Sequence, residues 1–366
     1  MPGLFKGAWA GTDAYLAYQN SLGGVDGRKF KLINDDDQLS CDTNKADTEA
    51  LAGQVIALTG SFSLFDSCGG QIVAQHPHLP DISVTLDPSV LKLSNVFSVQ
   101  PAVPGGQLGP LQYFKQKFPH AITKVGVLVS NVGTAPAQWA GMRAAMEHLG
   151  YKIAYEREFG PLETDYTSDV VKMEQAGVQM VTLVSTNDTY GAKLLMDMHT
   201  QGFHPQVIWG GAAIYSGVSP AQPTIVTAAG GPSVADGVYL EQAESLYIGQ
   251  DVHLVPEIKT FLTWVHGLYP GFNIDLFTLY GWASAQLYVE GLKAAGAHPT
   301  QSSLLAALEK IDSFDAGGML APADPAGKKP PTCYVLAQIT NGVYQRVDMP
   351  AGRVYRCGTD FAAPAA

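Results

Sequence analysis

The feature that most constrains this chain is a regular alternation of helical and strand-like segments. It repeats every roughly 25–30 residues, the rhythm of βαβ units in a parallel sheet covered on both faces. Residues 7–21 place Ala8, Ala14, Leu16, Ala17 and Tyr18 at helical spacing and stop at Gly23-Gly24, a natural terminator. Residues 29–33 alternate partly and read as a strand, ended by Asp35-Asp36-Asp37. Residues 42–51 are polar with interspersed alanine, hence helical, and the apolar run 55–60 reads as a buried strand. Further helices are expected at 71–76, 107–118, 137–149, 167–175 and 192–201, with strands at 81–85, 125–129, 153–158, 180–184 and 206–209. After Gly237 long helices take over, at 256–268, 278–296 and 302–311. The end is strand-rich: Asn341-Gly342 between the runs 334–339 and 343–347 is a strong hairpin signal.

The pattern yields two α/β units of similar size with extra helices and a terminal hairpin. No Pro/Ser-rich linker separates them, so several short crossovers and a hinged cleft between two lobes are expected. A chain of 366 residues has room for this. Charged residues make up 15% and hydrophobic ones 46%, which excludes a long disordered protein. With 22 Lys and Arg against 33 Asp and Glu, and no basic run longer than Lys328-Lys329, the chain is not a nucleic-acid binder. Its net charge of −11 is assigned to solubility.

No apolar stretch reaches the ~18 residues needed to span a bilayer. The start, Met1-Pro2-Gly3-Leu4-Phe5-Lys6, lacks the charged-then-apolar order of a secretory signal, so the protein is cytosolic or the chain is a mature or trimmed form. The four cysteines fall as Cys41/Cys68 and Cys333/Cys357, without the short spacing of a zinc or redox site. They are either disulfides, which place the protein outside the cytoplasm, or buried free thiols.

Catalytic signatures are absent: no G-x-G-x-x-G after a strand, no P-loop, no G-x-S-x-G, no H-E-x-x-H. Gly23-Gly24-Val25-Asp26-Gly27 follows a helix and precedes a strand, the reverse of a phosphate cradle, and reads as a turn. His76-Pro77-His78 has no third metal ligand at recognisable spacing and reads as a solvated turn before Leu79-Pro80. Asp35-Asp36-Asp37 is a cation site or, at the end of a strand, a solvated cap. The expectation is a binding protein, not an enzyme, without metal or cofactor.

In open parallel sheets ligands meet the carboxyl ends of the strands. Those ends carry Gly60-Ser61-Phe62-Ser63, Leu86-Asp87-Pro88-Ser89, Ser130 to Thr134, Ser185 to Thr189 and Gly210 to Ala213. Their hydroxyls and free amides can hold a carboxylate without a basic side chain, or they cap the helices that follow.

Gly23 to Leu32, followed by Asp35-Asp36, resembles the opening of type I periplasmic solute-binding proteins, most of all the leucine/isoleucine/valine-binding branch of ABC importers. Asp165-Tyr166-Thr167 with Gly177 to Val181, and Gly281 to Gln286 running into Glu290 to Gly296, resemble later parts of that family, so the similarity spans nearly the whole chain. The resemblance implies an α/β fold of two doubly wound parallel-sheet lobes joined by three crossovers. Lobe one would be 1–120 and 245–316, and lobe two 121–244 and 317–366. It implies a small-molecule ligand in the inter-lobe cleft, held by hinge closure. The contacts would be Ser61, Phe62, Ser63, Thr85 and Ser89 in lobe one and Thr134, Thr186 and Ala212 in lobe two, with Phe277 as an aromatic wall. It also implies a Cys41–Cys68 bridge, to which a Cys333–Cys357 pair is added. The implied role is the extracytoplasmic solute-binding component of an ABC importer. It would be a monomer serving an ABC permease, periplasmic or extracellular, in a form compatible with a lipid anchor.

Two departures from the family qualify these expectations. Its members begin with a strand of about ten residues, whereas this chain opens almost directly on the first helix, so a first strand and signal segment are expected upstream of Met1. The family's acidic contact for a substrate ammonium matches Ala212, and its second-lobe tyrosine matches Thr134. An ammonium with no carboxylate partner in a desolvated cleft costs several kcal/mol, so Asp87 or Asp188 substitutes, or the ligand is a small carboxylate without the amine. The alternative roles are a ligand sensor of the same fold and a cytosolic α/β enzyme.

Overall fold

Neighbouring parallel strands must be joined by a crossover, most often a helix, and the chain builds two units on that plan. The computed structural model describes residues 5–362 apart from 86, 102–104, 132–134, 161–162, 216–217, 220–221, 348, 351–352 and 359. One unit comprises Met1–Val103 and Val255–Pro331, the other Pro104–Leu254 and Thr332–Ala366, so the chain passes between them three times.

The first unit opens with α1 (Lys6–Ser21), α2 (Cys41–Ala52), β1 (Leu58–Thr59), α3 (Asp66–Val73), β2 (Asp81–Ile82), α4 (Pro88–Leu91) and β3 (Val96–Phe97). The second begins with β4 (Gly105–Gln107), α5 (Leu108–Lys117), β5 (Val125–Ser130), α6 (Ala135–His148) and β6 (Ile153–Phe159). It continues with α7 (Thr167–Gln175), β7 (Met180–Val184), α8 (Asp188–Gln201) and β8 (Val207–Gly210). The short elements β9 (Val218–Ser219), β10 (Gln222–Pro223), α9 (Thr224–Ala228) and α10 (Pro232–Ala235) lead to β11 (Tyr239–Gln242). Helices α11 (Pro256–Leu268), α12 (Leu276–Ala295) and α13 (Gln301–Leu308) return to the first unit. Strands β12 (Cys333–Thr340), β13 (Val343–Arg346), β14 (Arg356–Cys357) and β15 (Asp360–Ala362) complete the second.

The unit boundaries differ from those expected. Residues 104–120 and 245–254 lie in the second unit and 317–331 in the first. The cause is visible in α5, whose Leu111 and Phe114 are buried in the second unit's core with Val125, Trp139 and Trp209.

The second unit's sheet runs β13-β12-β11-β8-β7-β5-β6, with β14 on β12. Strands β6, β5, β7, β8 and β11 are parallel, while β12 and β13 are antiparallel. All six residues of β5 are buried, as a strand paired on both edges and covered on both faces requires. At the edge, β6 alternates half-buried and exposed residues and carries Glu156, Arg157 and Glu158, charges that discourage further pairing. The expected hairpin is present: Asn341 (φ 53°) and Gly342 (φ 76°) make the left-handed two-residue turn between the paired Thr340 and Val343. Strand β11 was not foreseen.

In the first unit the sheet is β1-β2-β3, parallel, with two residues per strand. The runs read as strands at 55–60 and 81–85 shrink to these pairs. The strand expected at 29–33 does not form: residues 31–33 make no backbone hydrogen bond among the described residues, and an extended run without a partner is not a strand. Helices carry this unit instead. A Cβ at Gly11 would lie 1.9 Å from the Thr278 carbonyl oxygen, and one at Gly281 1.9 Å from that of Ala8, so glycine lets α1 and α12 touch through their backbones. Around them Trp282, fully buried, meets Tyr15 at 4.9 Å and Phe261 at 5.4 Å between ring centroids.

The cysteines are paired as Cys41–Cys68, tying the start of α2 to the first turn of α3, and Cys333–Cys357, tying facing residues of β12 and β14. Among the described residues no helix is long and apolar enough to cross a membrane.

Candidate functional site

At the carboxyl end of β1 the chain turns through Gly60, whose φ of 71° suits glycine and whose Cβ would strike the Thr12 hydroxyl at 1.9 Å. The turn presents Ser61, Phe62 and Ser63. The Ser61 carbonyl accepts a hydrogen bond from the Val84 amide at 3.2 Å, which locks the β1 end to the β2 end. Phe62 packs on Phe277 at 4.7 Å and on Phe5 at 4.5 Å, and Phe5 meets Phe277 at 4.8 Å. All three rings are half-buried. Phe277 sits in the first turn of α12, which Asp275 caps by accepting from the Thr278 amide at 2.8 Å. The structure thus brings Ser61, Phe62, Ser63 and Phe277 into one aromatic-walled strand end. Phe5 was missed, because it precedes the first recognisable helical spacing.

The hydroxyls at this end are directed at the protein's own acids. Ser63 donates to Asp37 and Thr85 donates to Asp66. Ser89 donates to Asp87 at 2.6 Å, while Asp87 caps α4 through the Ser89 amide at 2.7 Å. These three hydroxyls are therefore engaged rather than free for a ligand carboxylate. The amides of Ser61, Phe62 and Ser63 carry no hydrogen bond among the described residues, and Ser61 is exposed. Burial raises the Asp66 carboxyl above its ordinary range, and the charge of Asp87 adds to the effect against the Thr85 hydrogen bond. Asp81, fully buried in β2, is pushed up to about 7 by burial. The neighbouring Ser83 hydroxyl and Lys328 pull it down, and Asp66 pushes it further up. Neither Asp66 nor Asp81 was singled out from the sequence. The partners that matter, Thr85 and Lys328, lie 19 and 247 residues away.

In the second unit β7 and β8 end side by side, with Leu183 registered on Gly210. Thr186 follows β7, buried, its hydroxyl donating to the Val184 carbonyl at 3.2 Å. Ala212 opens a short 3-10 turn after β8 and is half-buried. Asn187 caps α8 by accepting from the Tyr190 amide at 3.0 Å, so a capping role is fulfilled at this strand end. Thr134 lies outside the described residues. Among the described residues no group of three His, Cys, Asp or Glu is placed to hold a metal. His76 approaches Glu49 at 3.7 Å.

A family model described as periplasmic binding protein matches residues 2–343. An amino acid binding protein of Pseudomonas aeruginosa is 24% identical over 303 residues, covering 79% of this chain and 74% of that protein. A fatty acid ABC transporter substrate-binding protein from Thermomonospora curvata has a similar structure, with a TM-score of 0.78 at 18% identity over 96% of this chain and 88% of that one. A branched chain amino acid ABC transporter protein from Thermus thermophilus, solved with bound valine, gives a TM-score of 0.76 at 17% identity over 94% and 91%. These likenesses establish the type I periplasmic binding protein fold.

Proposed function

The chain belongs to the periplasmic binding protein family, and from that premise we propose that it is the extracytoplasmic solute-binding component of an ABC importer. Its ligand is a branched-chain or other hydrophobic amino acid, or a related small carboxylate. The observation that carries this reading is the Phe5–Phe62–Phe277 cluster beside three amides at the end of β1 that have no hydrogen bond among the described residues. An apolar side chain packs on the rings, and a carboxylate takes the amides of the Ser61–Ser63 turn, which are donors without a competing acceptor among the described residues. Thr85, Ser89, Thr186, Ala212 and Thr134 complete the proposed site. The first three act through their neighbours, since their hydroxyls are already engaged.

The acids at the same strand ends bear on the amine. Asp66 and Asp87 provide the negative charge that Ala212 cannot, and an ammonium beside Asp66 would offset the cost of its burial. A zwitterion is therefore favoured over an amine-free acid. Two disulfides suit an oxidising compartment and support a periplasmic or extracellular location with a membrane permease as partner. The reading involves binding and release without covalent chemistry.

Thermal unfolding with leucine, isoleucine, valine and phenylalanine, each beside its amine-free analogue, tests the proposal. A ligand at 100 times its Kd adds about 2.7 kcal/mol, a plain upward shift. Shifts with the amino acids alone support the zwitterion reading. Shifts with the analogues alone leave a carboxylate binder, and no shift with either set overturns the assignment.

A further inference from the structure

The tip of the β12–β13 hairpin carries a reactive pair that the fold both exposes and holds in check. Of all the asparagines in the chain, only Asn341 is followed by glycine. The side-chain amide of asparagine is thermally labile, and glycine leaves the next main-chain nitrogen unhindered by a side chain. The reaction is a ring closure. The Gly342 nitrogen attacks Asn341 Cγ, a C–N bond forms, and the bond from Cγ to Nδ2 breaks. Ammonia departs with the proton of the Gly342 N–H. Water then opens the cyclic imide at either carbonyl. Addition at Cγ gives aspartate, and addition at the main-chain carbon gives β-linked isoaspartate. The balance is asparagine and water to acid and ammonia, with no oxidant or cofactor.

Asn341 is exposed, and its side chain makes no hydrogen bond among the described residues. Its main chain is held. Asp236, just before β11, accepts from the Asn341 amide at 3.0 Å through one carboxylate oxygen. The other oxygen accepts from the Gly342 amide at 2.9 Å. The nitrogen that must attack is therefore donating to a charged acceptor, which opposes loss of its proton. Just below, the Gly237 amide donates to the Ile339 carbonyl and the Ile339 amide to the Val238 carbonyl, both at 2.9 Å, and these bonds keep Asp236 beside the tip. The turn adds a second restraint. Asn341 has a φ of 53° between the paired Thr340 and Val343, and the ring closes only when its main chain leaves that left-handed conformation.

We propose that Asn341 is a self-modification site gated by Asp236: opening of this clasp commits the Asn341-Gly342 pair to ring closure, and the product cannot re-form the clasp. Aspartate at 341 sets a carboxylate beside that of Asp236, and like charges repel. Isoaspartate inserts an extra main-chain carbon into a two-residue turn whose geometry is matched to the strands it joins. Ammonia has left, so the change runs one way. The hairpin thus keeps a permanent mark of the time that its tip has spent open.

The test uses the full chain with its disulfides intact, held at neutral pH well below its melting point and sampled over weeks by peptide mass spectrometry. The native chain is compared with the chain unfolded in guanidinium chloride and with Asp236→Ala. Asp236→Ser, which keeps a single acceptor oxygen, is the conservative variant. Conversion of Asn341 should be fastest in the unfolded chain and slowest in the native one. Asp236→Ala should convert about tenfold faster than the native chain, as expected for loss of hydrogen bonds to a charged group, and Asp236→Ser should fall between. Aspartate and isoaspartate should both appear, because the ring yields both. The other asparagines and hydrogen exchange along β5 should stay as in the native chain, which separates an opened tip from an unfolded protein. The proposal is overturned if Asp236→Ala converts no faster than the native chain, or if the native chain converts as fast as the unfolded one. Aspartate without isoaspartate would overturn it as well, as would conversion of the other asparagines alongside Asn341 in the variant. None of these readouts involves a solute, so the result stands apart from the ligand assignment.

Discussion

The second unit holds a sheet whose parallel strands run four to seven residues, and the first holds one whose strands stop at two. The apolar runs are comparable in the sequence, since Val55-Ile56-Ala57-Leu58-Thr59 is as strand-like as Met180-Val181-Thr182-Leu183-Val184. What differs is the neighbour. Strand β7 is paired on both edges, by β5 and β8, and β1, among the described residues, by β2 alone. Pairing on one edge or two does not by itself fix the length, since β6 runs seven residues at the sheet's edge and β2 stops at two between β1 and β3. The first unit compensates through helices, above all the α1–α12 contact at Gly11 and Gly281.

The largest expected effect tests that contrast directly. Leu128 is fully buried in the centre of β5, and Leu58 occupies a half-buried place in β1. Leu128→Ala should cost about 2–5 kcal/mol, as a truncation in a packed core does. Leu58→Ala should cost less, about 1–2 kcal/mol, because Leu58 is only half-buried where it packs against Val73, Val90 and Val96. Urea unfolding of the two variants measures both. Equal losses would show that β1 is as tightly held as β5.

Asp81 gives the next effect, confined to the first unit. Its carboxyl ionises near 7 in the folded chain against 3.8 unfolded, so the folded state holds a proton that the unfolded state releases between those values. Stability thus falls as pH rises from about 4 to about 7 and stays reduced above that. Asp81→Asn removes the ionisable group. The variant should match the native chain near pH 4 and exceed it above pH 7, by up to about 4 kcal/mol for a shift of about three units. A stability difference that is constant across pH 4–8 would mean that Lys328 neutralises Asp81 throughout.

The same contrast explains what could be read in advance. The second unit's strands and the Asn341-Gly342 hairpin were legible because burial on both faces writes continuous apolar runs, and left-handed turns select Asn-Gly. Residues 29–33 misled, because alternation signals the capacity to pair and says nothing of whether a partner is there. Strand β11 escaped notice for the opposite reason: Tyr239–Gln242 is short and polar at its end, and is made a strand by β8 and a strand about 100 residues downstream. In the site, Ser61, Phe62 and Phe277 could be named from strand ends and resemblance. The engagement of Ser63 and Thr85 by Asp37 and Asp66 could not, since side-chain pairs 26 and 19 residues apart leave no local pattern.

A smaller effect probes the ligand end of the first unit. If the Phe5–Phe62–Phe277 cluster receives the apolar part of the ligand, Phe277→Ala should weaken leucine binding roughly tenfold, about 1.4 kcal/mol. Thr186→Val in the second unit should change it less, because the Thr186 hydroxyl is bound to its own backbone. Calorimetric titration ranks the two. A larger loss at Thr186 would move the main determinant to the second unit.

A last pair of substitutions concerns the edge of the second unit's sheet. Strand β6 is an exposed edge, yet it is fastened: Glu156 accepts from Trp139 Nε1 at 2.8 Å and pairs with Arg143 at 2.8 Å. Residues 31–36 have no such tie among the described residues. Arg143 is 45% exposed, so Arg143→Ala should cost less than about 1 kcal/mol and the loss should shrink further in salt. Glu156→Ala also strands the indole N–H of a Trp139 that is only 4% exposed, and should cost about 1–3 kcal/mol, insensitive to salt. Amide exchange along β6 separates the cases: it should quicken in Glu156→Ala and stay nearly native in Arg143→Ala. If both leave it native, β6 is held by its ladder to β5 alone.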